Sequence, residues 1–113
     1  MNLVSIEEIG TAVILSISGE ITMITFTDID NACKKFINSN LKVIAFDFHN
    51  LEFIDSFGIS RVIKQSKAFS EKATDFVLIN MNDNISQIFK IATFDRLFNI
   101  MTKKEFTDIY LKK

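Results

Sequence analysis

The sequence predicts an α/β domain with a mixed sheet of four to five strands, an N-terminal β-hairpin and about four helices, mainly packed on one face. Two observations lead to this prediction. Short apolar runs of the strand type alternate with segments of helical periodicity, and the chain opens with two strands joined by a tight turn. Because 113 residues suffice for one sizeable core but not for two, we expect residues 1–113 to form a single domain.

The first half of the chain predicts a hairpin, a helix and a buried strand. Residues 3–9 and 12–17 form the two antiparallel strands. A first helix begins at Thr25 or Thr27, each followed three residues later by an acid. Its buried stripe is formed by four apolar side chains, Ile29, Cys33, Phe36 and Ile37. Residues 42–48 are apolar on both faces apart from one aspartate, as expected for a central strand covered by helices.

The second half predicts three helices and two further strands. The second helix covers about residues 57–69, and a buried strand follows at residues 76–79. Residues 82–84 cap a third helix whose apolar positions are Ile85, Ile88, Phe89 and Ala92. Residues 97–101 form a short strand. Residues 102–105 form a capping box for a C-terminal helix with an inner face of Phe106, Ile109 and Tyr110.

The composition is that of an ordinary globular protein. Apolar residues make up 48% and charged residues 24%, and the formal net charge is −1. This balance does not favour nucleic acid or a membrane surface as a partner. The N-terminus lacks the pattern of a secretory signal and the apolar runs are too short to span a membrane, so we expect a cytoplasmic protein. The single Cys33 excludes an internal disulfide, and we expect no metal and no cofactor.

The segment at residues 51–60 carries the strongest functional signal. Asp55 and Ser56, both favoured N-cap residues, lie where the second helix should begin. A serine there points its hydroxyl at unpaired backbone N–H groups and at the positive end of the helix dipole, where a phosphate is well accommodated. Functional sites in open α/β sheets gather where strand ends lead into helices. We therefore expect the loops at residues 19–25 and 49–58 to be neighbours, and Ser56 to be a phosphorylation site.

Several segments resemble a known family. Residues 19–21 (Gly-Glu-Ile) follow the second strand, residues 47–48 (Asp-Phe) end the third, and residues 53–59 read Phe-Ile-Asp-Ser-Phe-Gly-Ile. Together with the chain length and the order of strands and helices, they resemble a STAS domain of the anti-sigma-factor antagonist type. The tail at residues 91–98 is similar to the family's closing helix and short strand. The resemblance covers nearly the whole chain.

The resemblance implies a function. Such antagonists bind an anti-sigma factor that is also a serine kinase, and thereby release a sigma factor. The kinase phosphorylates the serine after the motif aspartate, here Ser56, which separates the complex, and a metal-dependent serine phosphatase restores the binding form. The protein would then be a binder and a substrate rather than an enzyme, and a monomer or weak dimer. The implied partner surface comprises Glu20, Thr22, Asp55, Ser56, Phe57, Gly58 and Arg61.

Three positions differ from the pattern common in this family. Phe57 stands where a second serine is common, Ser60 stands where a second glycine is common, and Thr22 stands where an aspartate is frequent. None of these differences removes the acceptor hydroxyl of Ser56. The bulky Phe57 predicts either a partner with a matching pocket or a contact within the core. The three differences together indicate a divergent partner.

Three alternatives remain open from the sequence. A serine hydrolase would use Ser56 in a nucleophile elbow with His49, the only histidine, as base. However, Ile54 occupies the position of the first glycine in Gly-x-Ser-x-Gly. A receiver domain would use Asp47 as phosphoacceptor, but no acidic pair follows an early strand. A STAS-like scaffold with a different signalling partner would keep the fold and change only the interaction.

Overall fold

The computed structural model describes residues 2–112 and shows strands and helices in the order expected of an α/β domain. The strands are β1 (Asn2–Ile9), β2 (Ala12–Ile21), β3 (Val43–Asp47), β4 (Leu51–Ile54), β5 (Asp75–Ile79) and β6 (Asn99–Met101). The helices are α1 (Phe26–Lys34), α2 (Ser56–Glu71), α3 (Asp83–Ile91) and α4 (Lys103–Phe106). A 3-10 turn at Phe94–Leu97 precedes β6, and a π-helical turn at Thr107–Leu111 extends α4.

The six strands form one mixed sheet. Its main path runs β1-β2-β3-β5-β6, and β4 pairs with the C-terminal end of β2. β1 and β2 are antiparallel, which confirms the predicted hairpin, whereas the other pairings are parallel. Parallel neighbours need crossover connections, and α1, α2 and α3 supply them. The predicted class is confirmed, with one strand more than the predicted four to five.

Apolar side chains cover both faces of the sheet. On the larger face, residues such as Val13, Leu15 and Ile17 pack against the buried side chains of α1, α2 and α3. On the smaller face, Phe106 of α4 packs on a cluster formed by β2, β3 and β5: Ala12, Ile14, Val43, Ala45, Val77 and Ile79. The helices therefore lie mainly on one face, as predicted. None of the helices within residues 2–112 has the length and apolar content needed to cross a membrane.

Two strand predictions needed correction. β2 continues to Ile21, four residues beyond its predicted end at Ile17, because its last residues pair with β4. The sequence predicts a loop at residues 49–58, where the structure has β4. Only the first and last of its four residues are buried, so the segment lacks the alternation that marks a strand. Its place in the sheet comes from pairing with a segment about thirty residues earlier.

The predicted capping signals are confirmed at two helices. Thr102 and Glu105 form the capping box of α4, and the side chain of Asn82 caps α3 by accepting a hydrogen bond from the Ile85 N–H. The inner face of the C-terminal helix differs from the prediction, since Ile109 is 60% exposed. The chain there forms a π-helical turn. Its i→i+5 hydrogen bonds widen the turn and change which side chains share a face.

The buried stripe of α1 contains Cys33, whose side chain is almost fully buried. Burial, with a smaller contribution from the charge of Asp30, raises the pKa of the Cys33 thiol to about 12. The thiol therefore stays protonated at neutral pH, and Cys33 acts as a small apolar core residue.

Tyr110 holds the C-terminal turn against the start of β5. Its hydroxyl donates a hydrogen bond to Oδ2 of Asp75 at 2.9 Å, and its ring lies 5.2 Å from that of Phe106. The pKa of Tyr110 is raised to about 12. Desolvation by burial is the largest cause, and the hydrogen bond to Asp75 and the charge of Asp75 add to it. The native state thus favours the neutral phenol. This stabilisation is complete below the unfolded pKa of about 10 and is lost as the pH rises to about 12.

The titration of Tyr110 tests this contact. Because Tyr110 is the only tyrosine, the ultraviolet absorbance of tyrosinate reports its ionisation alone. We expect a higher midpoint in the native protein than in the urea-unfolded chain, and a lower native midpoint after Asp75→Asn. Equal midpoints in the native and unfolded chains would contradict the described contact.

Candidate functional site

The start of α2 shows how the sequence separates the roles of two neighbouring polar residues. Asp55 is the N-cap: its backbone is extended (φ −101°, ψ −178°) and its Oδ1 accepts a hydrogen bond from the Gly58 N–H at 2.8 Å. Ser56 is the first residue of the helix, and it is exposed. The carboxylate of Asp55 therefore accepts the hydrogen bond from the Gly58 N–H, and Ser56 remains exposed at the positive end of the helix dipole.

The pairing of β2 with β4 brings the two predicted loops together. Glu20 lies opposite Phe53 and Ile21 lies opposite Ile54 in the parallel register. The Asp55 N–H then donates to the Ile21 carbonyl at 3.4 Å. The segment that follows Ile21 therefore lies beside the segment that contains Ser56.

Two threonines fix the loop between β2 and α1. The Thr25 hydroxyl donates to the Glu20 carbonyl at 2.7 Å and accepts from the Thr22 N–H at 2.9 Å. The Ile24 N–H donates to the Thr22 hydroxyl at 3.2 Å. Thr25, one of the two residues predicted to begin the first helix, is the N-cap residue of α1. Its side chain, however, makes no capping hydrogen bond to the helix. The hydroxyls shape the loop instead.

This loop exposes apolar side chains that belong to none of the motifs in the sequence. Met23 is 67% and Ile24 is 90% exposed. Phe53, an apolar residue that the sequence favours as part of the core, is 44% exposed. We call Met23, Ile24 and Phe53 the apolar rim. An apolar pair between two loop threonines was the available sequence signal for it.

Gly58 allows α2 to begin in direct contact with the end of β2. A Cβ atom at this position would lie 2.2 Å from the Ile21 carbonyl oxygen and 2.8 Å from Cγ1 of Ile54. No real side chain tolerates such distances, so the helix and the strand fit only with glycine here. Gly58 itself is buried. It therefore sets the position of the helix start, and with it the position of Ser56.

Phe57 and Arg61 connect the start of α2 to α1. The ring of Phe57 meets that of Phe26 edge to face, with 5.1 Å between centroids, and the guanidinium of Arg61 lies 4.9 Å from the centroid of Phe26. Arg61 also forms an ion pair with Asp30, which accepts a second hydrogen bond from Gln65 at 3.1 Å. Phe57 is half-buried, and most of the charge of Arg61 is engaged within the molecule.

The hydrolase alternative gains no support from the position of His49. This residue lies in the turn before β4, where its N–H donates to Oδ1 of Asp47 at 2.9 Å. Ser56 lies beyond the other end of β4, and four residues of strand span roughly 10 Å. His49 is therefore far outside hydrogen-bonding reach of Ser56. The carboxylate of Asp47 likewise has a structural role in this turn, as the acceptor of that hydrogen bond.

The fold and this helix start define a small α/β domain with an exposed serine as the first residue of α2. The chain belongs to the STAS family, because the family model for the STAS domain matches residues 4–106.

Solved structures of similar fold come from several bacteria. One is a Thermotoga maritima protein proposed to be an anti-sigma factor antagonist, with a TM-score of 0.82, 20% identity, and coverage of 96% of this chain and 95% of that chain. An anti-sigma factor antagonist from Mycobacterium paratuberculosis has a TM-score of 0.73 and 21% identity, with coverage of 89% of this chain and 86% of that chain. The Bacillus cell fate determinant SpoIIAA in its phosphorylated form has a TM-score of 0.70 and 19% identity, with coverage of 94% of this chain and 97% of that chain. At these identities the likeness concerns the fold.

Proposed function

We propose that this protein is an anti-sigma factor antagonist controlled by phosphorylation of Ser56. In its unphosphorylated form it binds an anti-sigma factor with serine kinase activity and so releases a sigma factor for transcription. Phosphorylation ends the binding, and a serine phosphatase restores it. The exposed position of Ser56 as the first residue of α2, in a chain of the STAS family, carries this proposal. The protein acts as a binder and a substrate, not as a catalyst.

The apolar rim supports a protein as the partner. Exposed apolar groups gathered beside polar ones are typical of protein interaction surfaces. Fully burying a large aliphatic or aromatic side chain contributes about 1.5–3 kcal/mol. Ile24 and Met23 are mostly exposed, so a partner that covers them gains most of that amount from each. The hydrogen bonds of Thr22 and Thr25 hold the loop in place, which lowers the entropy lost on binding.

The charges around Ser56 support switching by phosphorylation. A phosphate adds nearly two negative charges, and at a helix N-terminus the dipole stabilises them by about 0.3–1 kcal/mol. The fold should therefore tolerate the modification. The carboxylate of Asp55 lies at the cap next to Ser56, while Arg61, further along α2, is paired with Asp30. When a partner covers the helix start, a phosphate beside this carboxylate has to be desolvated and is repelled by acidic groups of the interface, so the cost falls on the complex.

Incubation with ATP and the candidate anti-sigma kinase, followed by mass spectrometry, tests this proposal. We expect one phosphate, located at Ser56. Ser56→Ala should remain unmodified and still bind the kinase. Ser60→Ala is the matched control, since Ser60 is exposed one turn further along the same helix, and this variant should be phosphorylated like the wild type.

The possible outcomes separate the alternatives. A phosphate at another residue would show that Ser56 is not the switch. A stable complex without phosphorylation would favour a STAS scaffold. The absence of both complex and phosphate would rule out this class of partner.

A further inference from the structure

A second surface of the molecule has the properties of a binding groove. It lies between α1 and α2 and encloses a cavity of about 200 Å³. Ile37 and Ala68 contribute apolar surface to its lining, which also includes the nearly buried Cys33, and Lys34, Arg61 and Lys64 contribute positive charge. We call it the α1–α2 groove. It contains neither Ser56 nor any residue of the apolar rim.

The charge of this groove is opposite to that of the chain as a whole. Three cationic side chains line it, against the single carboxylate of Asp30. That carboxylate is already engaged by Arg61 and Gln65. The whole chain has a net charge of −1, so the positive charge of the groove is a local concentration. Lys34 and Lys64 are exposed, one on each of the two helices, where an incoming anionic group can reach them.

Arg61 retains hydrogen-bonding capacity beyond its ion pair. Its Nε–H is buried and has no hydrogen-bond acceptor among the described residues, and a buried donor without a partner costs about 1–3 kcal/mol. The side chain is still 24% exposed. The exposed part of the guanidinium can therefore donate to a second carboxylate while the pairing with Asp30 is kept.

We propose that the α1–α2 groove binds an acidic amphipathic segment of a partner protein. Its apolar side chains would pack on Ile37 and Ala68, and its carboxylates would pair with Lys34, Lys64 and Arg61. The apolar part of the lining argues against a simple inorganic anion, since such an ion gains nothing from it. A groove between two helices with an apolar floor suits an amphipathic helix. Apart from Arg61, the lining of this groove is distinct from the implied partner surface around Ser56, and the proposal goes beyond the switch.

An NMR titration of the full chain with a synthetic peptide tests the proposal. The probe is a short amphipathic helical peptide of Glu and Leu, and the matched peptide carries Lys in place of Glu. We expect the acidic peptide to shift backbone amide signals in residues 30–37 and 61–68, with an affinity that falls as salt is added. The lysine peptide should not bind there. Shifts centred on the apolar rim, or no shifts with millimolar acidic peptide, would overturn the proposal.

Charge reversal locates the contacts. The double variant Lys34→Glu/Lys64→Glu should weaken binding of the acidic peptide by about tenfold or more, since each reversal replaces an attraction by a repulsion. The control Lys42→Glu/Lys103→Glu changes the net charge equally at two exposed residues outside the groove, and it should bind as the wild type does. Equal losses in both double variants would mean that only net charge matters, and would overturn the assignment to this groove.

Discussion

A Ser56→Asp variant should bind the proposed kinase partner about a hundredfold more weakly than the wild type, or worse, and yet melt at the same temperature or slightly higher. Like charges brought together in an interface cost several kcal/mol, and each 1.4 kcal/mol is a tenfold change in affinity. In the free protein the new carboxylate lies at the first residue of α2. There the helix dipole stabilises a negative charge by about 0.3–1 kcal/mol. Affinity is thus lost without loss of stability.

Isothermal titration calorimetry and thermal unfolding measured on the same preparations check both halves of this prediction. Ser56→Asn is the matched control, because asparagine has the shape of aspartate without its charge, and it should bind much more tightly than Ser56→Asp. If the two variants lose affinity equally, shape rather than charge governs the interface. If Ser56→Asp unfolds the protein, the helix start does not tolerate charge as described.

Gly58→Ala should destabilise the fold by about 2 kcal/mol or more. The new methyl group would lie 2.2 Å from the Ile21 carbonyl oxygen and 2.8 Å from Ile54 Cγ1. The first of these neighbours is backbone and cannot move by a simple side-chain rotation. Overpacking of this kind typically costs about 1–3 kcal/mol, and the alanine gains back at most about 1 kcal/mol of helix propensity. Because the contact is with backbone, we expect the cost at or above the upper end of that range.

Thermal and urea unfolding measure this effect. For a domain of this size, each 1 kcal/mol corresponds to roughly 4–8 °C in melting temperature. Ser60→Ala, an exposed position two residues further along α2, is the control and should change stability by no more than about 0.5 kcal/mol. A melting temperature of Gly58→Ala equal to or above that of the wild type would mean that α2 does not press on the end of β2.

Local patterns in the sequence sufficed for the class of fold and for several helix starts. The α/β class and the hairpin followed from alternating and helical periodicities, which each segment carries by itself. The caps at Asn82 and Thr102 followed from side chains that bond to backbone only three residues away. The position of Asp55 and Ser56 at the beginning of α2 followed for the same reason. All of these depend on interactions between near neighbours in the chain.

The tertiary structure alone decided which residues are exposed around Ser56. β4 exists because it pairs with the end of β2, and Phe53 on this strand is exposed rather than part of the core. The proximity of Gly58 to the Ile21 carbonyl and the pairing of Arg61 with Asp30 join residues about thirty or more positions apart. Such contacts depend on how whole strands and helices pack, so the local periodicity of the sequence cannot predict them. Short-range hydrogen bonding therefore fixed the helix that carries Ser56, whereas long-range packing fixed the surface around it.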